Sequence, residues 1–374
     1  MKKLQIIFLC VFFGFLSPMT HLVNALTEFH LYTKLNQSEP FKDTSDGNRD
    51  PSDAFIITVK TDNAGGSADN QFIVPTRFGG YDYTIDTSDG QTINDLTGDY
   101  TITFPTPGTY DILISGDFPW YRGRYSADKD KLIEVKNWGI IAWENFDGAF
   151  AGCNNLTVIS ATDVPDLSNV TNLSSMFYGN NILEINNIEN WDVSNVQLFN
   201  GMFYQSEVIR NPNIPIDLSG WDMSSATNIS SMFQTLQQPT TLTFDLSNWD
   251  ISNITNMTDL FRLGGFDTVK KYDDTLLSWE AQNQQSNIAT NFGDSQYSCI
   301  AEAARDELIN TSGWTIIDGG NESPNILTYD DNGSISGVVP LDSNQYGCND
   351  IATILGNTGN LTKPCFIFNG WNTA

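Results

Sequence analysis

Four stretches of the chain align without a gap: Asp166-Leu-Ser-Asn-Val-Thr-Asn-Leu-Ser-Ser-Met-Phe177, Asp192-Val-Ser-Asn-Val-Gln-Leu-Phe-Asn-Gly-Met-Phe203, Asp222-Met-Ser-Ser-Ala-Thr-Asn-Ile-Ser-Ser-Met-Phe233 and Asp250-Ile-Ser-Asn-Ile-Thr-Asn-Met-Thr-Asp-Leu-Phe261. A diverged copy ends at Ala149-Phe150 and a weak one, around Trp279, at Asn291-Phe292. The closing residues Phe150, Phe177, Phe203, Phe233 and Phe261 lie 27, 26, 30 and 28 residues apart. A unit of that size cannot bury its own apolar face, so units must cover one another in an array. The expectation is a solenoid of about five to six coils over residues 120–298, in a chain that is mainly β with short helices.

Each repeated position has a physical reading. Leu173, Phe199, Ile229 and Met257 precede the closing pair by three, an i, i+3, i+4 face that predicts a short helical turn packed inward. Asp166, Asp192, Asp222 and Asp250 open the units and can accept backbone N–H groups as a cap or Asx-turn does. Asn169, Asn195 and Asn253, with Ser225 in the third copy, predict an amide ladder that serves unpaired backbone groups. These Asn and Phe side chains are expected to turn into the interior. Trp191, Trp221 and Trp249, with Pro165 in the first copy, predict an aromatic stack on one side of the coil. Short strands are expected at 156–159, 182–185, 208–209 and 242–244, forming a parallel ladder with a spacing of about 4.8 Å.

The flanks differ from the array. Residues 1–25 have a basic start, an apolar run too short for a bilayer and a small-residue ending, which reads as a secretory signal peptide cut near Ala25. Residues 26–53 read as a flexible acidic segment. Residues 54–119 carry alternating β-branched and aromatic runs between Gly, Pro and Asp turns, as in a small β-sandwich. Residues 299–320 include an amphipathic helix that would cap the array, and 321–374 form an acidic, Asn- and Gly-rich tail or partial module. Of the cysteines outside the leader, Cys348 and Cys365 lie closest, and a bridge between them would contribute about 3 kcal/mol in the chain-entropy model. Four cysteines allow three pairings, and sequence does not decide among them. Cys153 reads as a small buried hydrophobe.

Charge narrows the function. The chain has 18 Lys and Arg against 45 Asp and Glu, a net −27, which opposes nucleic acid and anionic membranes. Loss of the leader leaves 16 basic residues and a charge of −29. Only His30 remains outside the leader, which removes most hydrolase triads and zinc sites. No phosphate loop, nucleophile elbow or basic patch is evident, no cofactor is implied, and Asp330-Asp331-Asn332 reads as a turn in preference to a calcium loop.

The tract 119–320 resembles the bacterial BspA-type leucine-rich-repeat surface proteins, whose motif is Trp-Asp-Val-Ser-Asn-Val-Thr-Asn-Met-x-x-Met-Phe. Trp191 to Phe203 and Trp249 to Phe261 carry it most closely. Spacers such as 214–220 depart from the family's usual Phe-Asn-Gln-Asp. The stretch Phe104-Pro-Thr-Pro-Gly-Thr-Tyr110 resembles a polycystic-kidney-disease-type sandwich. The resemblance implies a non-enzymatic secreted or surface protein that binds a host or bacterial surface protein or glycan for adhesion or recognition, without catalytic residues. A secreted carbohydrate-binding or carbohydrate-active protein and a structural surface-layer component are the alternatives.

Overall fold

The computed structural model describes residues 50–77, 79–211, 216–236, 240–322, 327–344, 346 and 351–371. The expected signal peptide, most of the acidic segment and Cys348 lie outside the described residues. Residues from Ser52 onward belong to one unit, which is mainly β with a few short helices.

The N-terminal part is built by alternation. In β3 (Asp82–Thr87) Tyr83, Ile85 and Thr87 are buried while their neighbours are not, and β1 (Phe55–Lys60) buries Phe55, Ile57 and Val59. β1 pairs antiparallel with β6 (Thr109–Asp117) and with β7 (Leu132–Asn137); β6 pairs with β3, and β3 with β4 (Thr92–Leu96). β2 (Gln71–Val74) and β5 (Tyr100–Thr103) form a separate antiparallel pair. β7 then pairs in parallel with β8 (Val158–Ile159), and β8 with β9 (Glu184–Ile185), in one sheet of order β4-β3-β6-β1-β7-β8-β9. Antiparallel and parallel halves therefore share one sheet that runs on past residue 119 without a break.

One buried charge cluster ties the loop before β2 to the turn before β7. Asp128 accepts N–H bonds from Gly66, Ser67 and Ile73 at 2.9 Å each, and Lys131 Nζ donates to the carbonyls of Ser67, Ala68 and Gln71 at 2.8–3.2 Å. Both side chains are fully buried, with Nζ 3.9 Å from the Asp128 carboxylate. A Cβ on Gly65 would lie 2.5 Å from both side chains, so the loop closes over them only with glycine there.

Across the repeats, alternate N–H groups of one copy donate to carbonyls of the next. Leu173, Ser175, Phe177 and Gly179 donate to Leu198, Asn200, Met202 and Tyr204, and Phe199, Gly201, Phe203 and Gln205 donate to Asn228, Ser230, Met232 and Gln234. Parallel bridges link Asn172, Leu198, Asn228 and Asn256 in turn. The intervening N–H groups close local turns, as Met176 does on Leu173 and Tyr178 on Ser175. The expected helical turn is thus replaced by two successive turns with left-handed residues on either side of the phenylalanine. Gly148, Ser175, Gly201, Ser231 and Asp259 stand two before it, and Gly152, Gly179, Gln205 and Leu263 two after. A helix would spend every N–H inside its own copy; this backbone gives half of them to its neighbour.

Later strands are short: β10 (Thr240–Leu242) with β11 (Gly264–Phe266), and β12 (Ala289–Asn291) with β13 (Thr315–Ile317), both parallel. The strand expected at 208–209 is instead a single helical turn, α1 (Glu207–Arg210), with Val208 and Ile209 buried. α2 (Val269–Glu280) was not anticipated, and α3 (Glu302–Asn310) lies where a helix was expected.

Candidate functional site

The repeat positions divide into interior and edge. Phe150, Phe177, Phe203, Phe233, Phe261 and Phe292 are buried in one file, each ring 5.2–6.0 Å from the next and within 29° of parallel. Asp166, Asp192, Asp222 and Asp250 accept the N–H of the serine two residues on, at 2.9–3.1 Å, and Asp217 and Asp245 do the same. Hydrogen bonds from the Ser168 and Ser224 side chains and N–H groups hold the carboxyls of Asp166 and Asp222 below their ordinary range. A second file of such turns, unforeseen, runs through Asn172, Asn228 and Asn256.

Asn195 Nδ2 donates to Ser168 O at 3.3 Å and Asn253 Nδ2 to Ser224 O at 2.7 Å, so the amides do link copies. They do so from the exposed edge, where Asn169 also lies without such a bond among the described residues, and the expected interior placement is corrected. A carbonyl at the rim of a turn is reached by a short amide without burial, and the apolar interior has no acceptor to offer it.

The tryptophans are corrected as well. Trp191, Trp221 and Trp249 are buried and pack on phenylalanines, at 6.3 Å from Phe177, 5.9 Å from Phe199 and 6.1 Å from Phe233, so they neither stack on one another nor rim a face. The indole N–H sets the depth. Trp221 donates to Ile188 O and Trp249 to Leu218 O, both at 2.9 Å, and Trp279 to Leu246 O at 3.0 Å. Trp191 Nε1 is buried without a partner. Its copy follows the one with Pro165, and Thr162 O, in the equivalent position, takes Asn187 Nδ2 instead.

The bridge considered between Cys348 and Cys365 is overturned: Cys365 is a free, exposed thiol. Cys299 is disulfide-bonded. Cys153 is buried, and burial pushes its thiol up to about 12. Among the described residues no group of three or more His, Cys, Asp or Glu could hold a metal, and no helix is long and apolar enough to cross a membrane.

One cluster contradicts the expectation of no basic patch. In Trp120-Tyr-Arg-Gly-Arg-Tyr125, the Gly123 N–H bonds Ala149 O at 2.8 Å and the Arg124 N–H bonds Gly148 O at 3.1 Å, seating the loop on the first copy. A Cβ on Gly123 would lie 2.4 Å from Ala149 O, so only glycine permits this approach. Tyr81 Oη donates to Trp120 O at 2.8 Å and accepts the Arg77 N–H at 3.2 Å, which brings a second loop alongside. Arg122 Cζ then stands 4.7 Å from the Trp120 ring centre and 4.2 Å from that of Tyr125. Arg77 and Arg124 approach Tyr125 at 5.6 and 5.8 Å, and Arg124 also lies 5.8 Å from Tyr178. Tyr178 stacks on Tyr204 of the next copy at 4.7 Å and 4°. Acids lie nearby as well: Asp99, which accepts the Thr76 N–H at 2.7 Å, and Glu144 both act on Tyr81, and at Asp147 burial raises the carboxyl while Arg124 and Arg77 lower it, with a net upward direction. The density of aromatic and arginine residues in 120–125 was the available signal, hidden by the negative total.

Residues 144–267 and 213–298 match the sequence model of a family described as Mycoplasma protein of unknown function, DUF285. The two matches overlap, and together they span less than half of the chain and cover the aligned repeats. No curated protein and no solved structure matches the chain.

Proposed function

We propose that this is a non-catalytic recognition protein, exported by its leader and exposed at or beyond a bacterial cell surface, that binds a host or neighbouring-cell protein or glycan. On this reading residues 120–298 are a leucine-rich-repeat solenoid of BspA type, and the preceding strands are a sandwich, similar to polycystic-kidney-disease modules, that covers its first coil. The observation that carries the reading is the use made of the repeated acids. Asp166, Asp192, Asp222 and Asp250 each hold a turn through the N–H two residues on, so they act on the backbone and recur as structure does. A catalytic carboxylate occurs once and faces a cleft. What repeats at the surface is a lateral polar edge suited to a broad partner. The match of the repeats to a Mycoplasma family supports a bacterial repeat protein in coarse terms. Solid-phase binding of the full chain to matrix proteins, glycans and other bacteria tests the proposal, and absence of binding across such a panel refutes it.

A further inference from the structure

We propose that the guanidinium groups of Arg77, Arg122 and Arg124, with the rings of Tyr125 and Tyr178, bind a strand of acidic polysaccharide. The anion of one sugar residue pairs with the guanidiniums while sugar rings pack on the tyrosines. The inference rests on the reading of the chain as a non-catalytic recognition protein and names the class of its ligand.

Three of the chain's seven arginines converge on the single Tyr125 ring, in a protein with 45 acidic residues. Among the described residues Arg210 pairs with Glu207, Arg262 with Asp259 and Arg305 with Asp318. Neither Arg122 nor Arg124 forms an ion pair among the described residues. Arg122 is 6% exposed, and its Nε and Nη1 are buried with no acceptor, as is the adjoining Trp120 Nε1. Charged donors buried without an acceptor are costly, and an anionic oxygen brought by a ligand is the partner they lack. Tyr125, whose ring centre lies 4.2 Å from that guanidinium, is itself 66% exposed.

The extent of the site favours a polymer. Tyr178 and Tyr204 occupy the same position in successive copies, so the aromatic surface extends from Arg124 across two copies, and Gln234 and Arg262 follow at that position. Its exposed large side chains, Tyr125 and Tyr178, are phenol rings, whose flat faces suit the C–H face of a sugar. Guanidinium forks match carboxylate and sulfate geometry. The overall negative charge does not forbid this, because at physiological ionic strength charges beyond about 8 Å are largely screened and the local arginines dominate.

The test is surface-immobilised binding of the full chain to heparin, hyaluronan and polysialic acid, with neutral dextran and poly-glutamate alongside. Binding to heparin alone identifies sulfate as the anion, and binding to the other two identifies carboxylate. We expect acidic polysaccharide to bind in a salt-sensitive manner and dextran not to. Arg124→Gln should weaken binding about tenfold, as loss of one charge-assisted hydrogen bond does, and Arg77→Gln with Arg124→Gln further. Lys270→Gln, at an exposed helix position, should leave it unchanged. Thermal melts confirm that the variants fold; both substituted arginines are exposed, so the buried Arg122 is left alone. Failure of the folded chain to bind any acidic polysaccharide overturns the proposal, as does undiminished binding by the double variant. Equal or tighter binding to poly-glutamate also overturns it and assigns the site to an acidic protein. Attachment to cells or matrix that survives in the double variant would leave the recognition reading standing while this site falls.

Discussion

Trp191, Trp221 and Trp249 occupy one repeat position and are comparably buried, yet only the last two donate their indole N–H to the preceding copy. Replacing each with phenylalanine removes the same ring volume, so the packing loss is of one order at all three, with Trp191 also loosening its edge contact with Trp138 at 5.5 Å. At Trp249 the change also deletes the bond to Leu218 O, which keeps the Trp221 N–H as its other donor. That loss is the net value of one hydrogen bond, about 0.5–1.5 kcal/mol. At Trp191 it removes a buried donor that has no acceptor, which relieves a cost of about 1–3 kcal/mol. Trp249→Phe and Trp221→Phe should therefore be more destabilising than Trp191→Phe by about 2 kcal/mol or more. Urea unfolding followed by far-ultraviolet circular dichroism measures the difference. Amide exchange in the flanking copies guards against departures from two-state behaviour in an array. Three equal losses, within about 0.5 kcal/mol, or the largest loss at Trp191, would refute the reasoning.

Lys131→Met should cost about 3–5 kcal/mol, because it strips the donor from three carbonyls and leaves Asp128 buried without its counter-charge; the same unfolding assay reads it. Asn253→Ala should cost about 0.5–1.5 kcal/mol by deleting the bond to Ser224 O, and Asn169→Ala less, since among the described residues its side chain makes no such bond. A thiol reagent at neutral pH should modify Cys365 in the native chain, Cys153 only on unfolding and Cys299 only after reduction, as peptide mapping would reveal. Asp166 and Asp222 have carboxyls depressed in the folded state, so their contribution to stability is full above the ordinary carboxylate range, near pH 4, and is lost as pH falls through the folded values. Asp222→Asn should flatten that acid limb, and an unchanged melting profile between pH 5 and 2.5 would contradict the assignment.

What the chain declares and what it conceals follow from the same physics. The phenylalanine file was legible because burial forces one large apolar residue into every copy, and a fixed period exposes that demand at once. The Asx turns were legible because the acid and the serine two residues on recur together. The left-handed turns beside each phenylalanine were not. Met and Phe after an apolar residue at i−3 satisfy a helical face as well as a turn, and only the mixture of Gly148, Ser175, Gly201, Ser231 and Asp259 at one position hints that φ is positive there. In α2, Tyr272, Leu276 and Trp279 carry a helical spacing of four and three and are all buried, but Trp279 also fits the tryptophan of a further weak copy, which masks the helix. The arginine cluster was missed for a different reason. Net charge is a sum over the chain, whereas recognition depends on what lies within a screening length, and the fold brings Arg77 to Arg122 and Arg124 from 45 residues away. Periodic features are written many times and can be read from composition and spacing. A site that occurs once, assembled by two loops distant in sequence, is visible only after the backbone has placed its parts together.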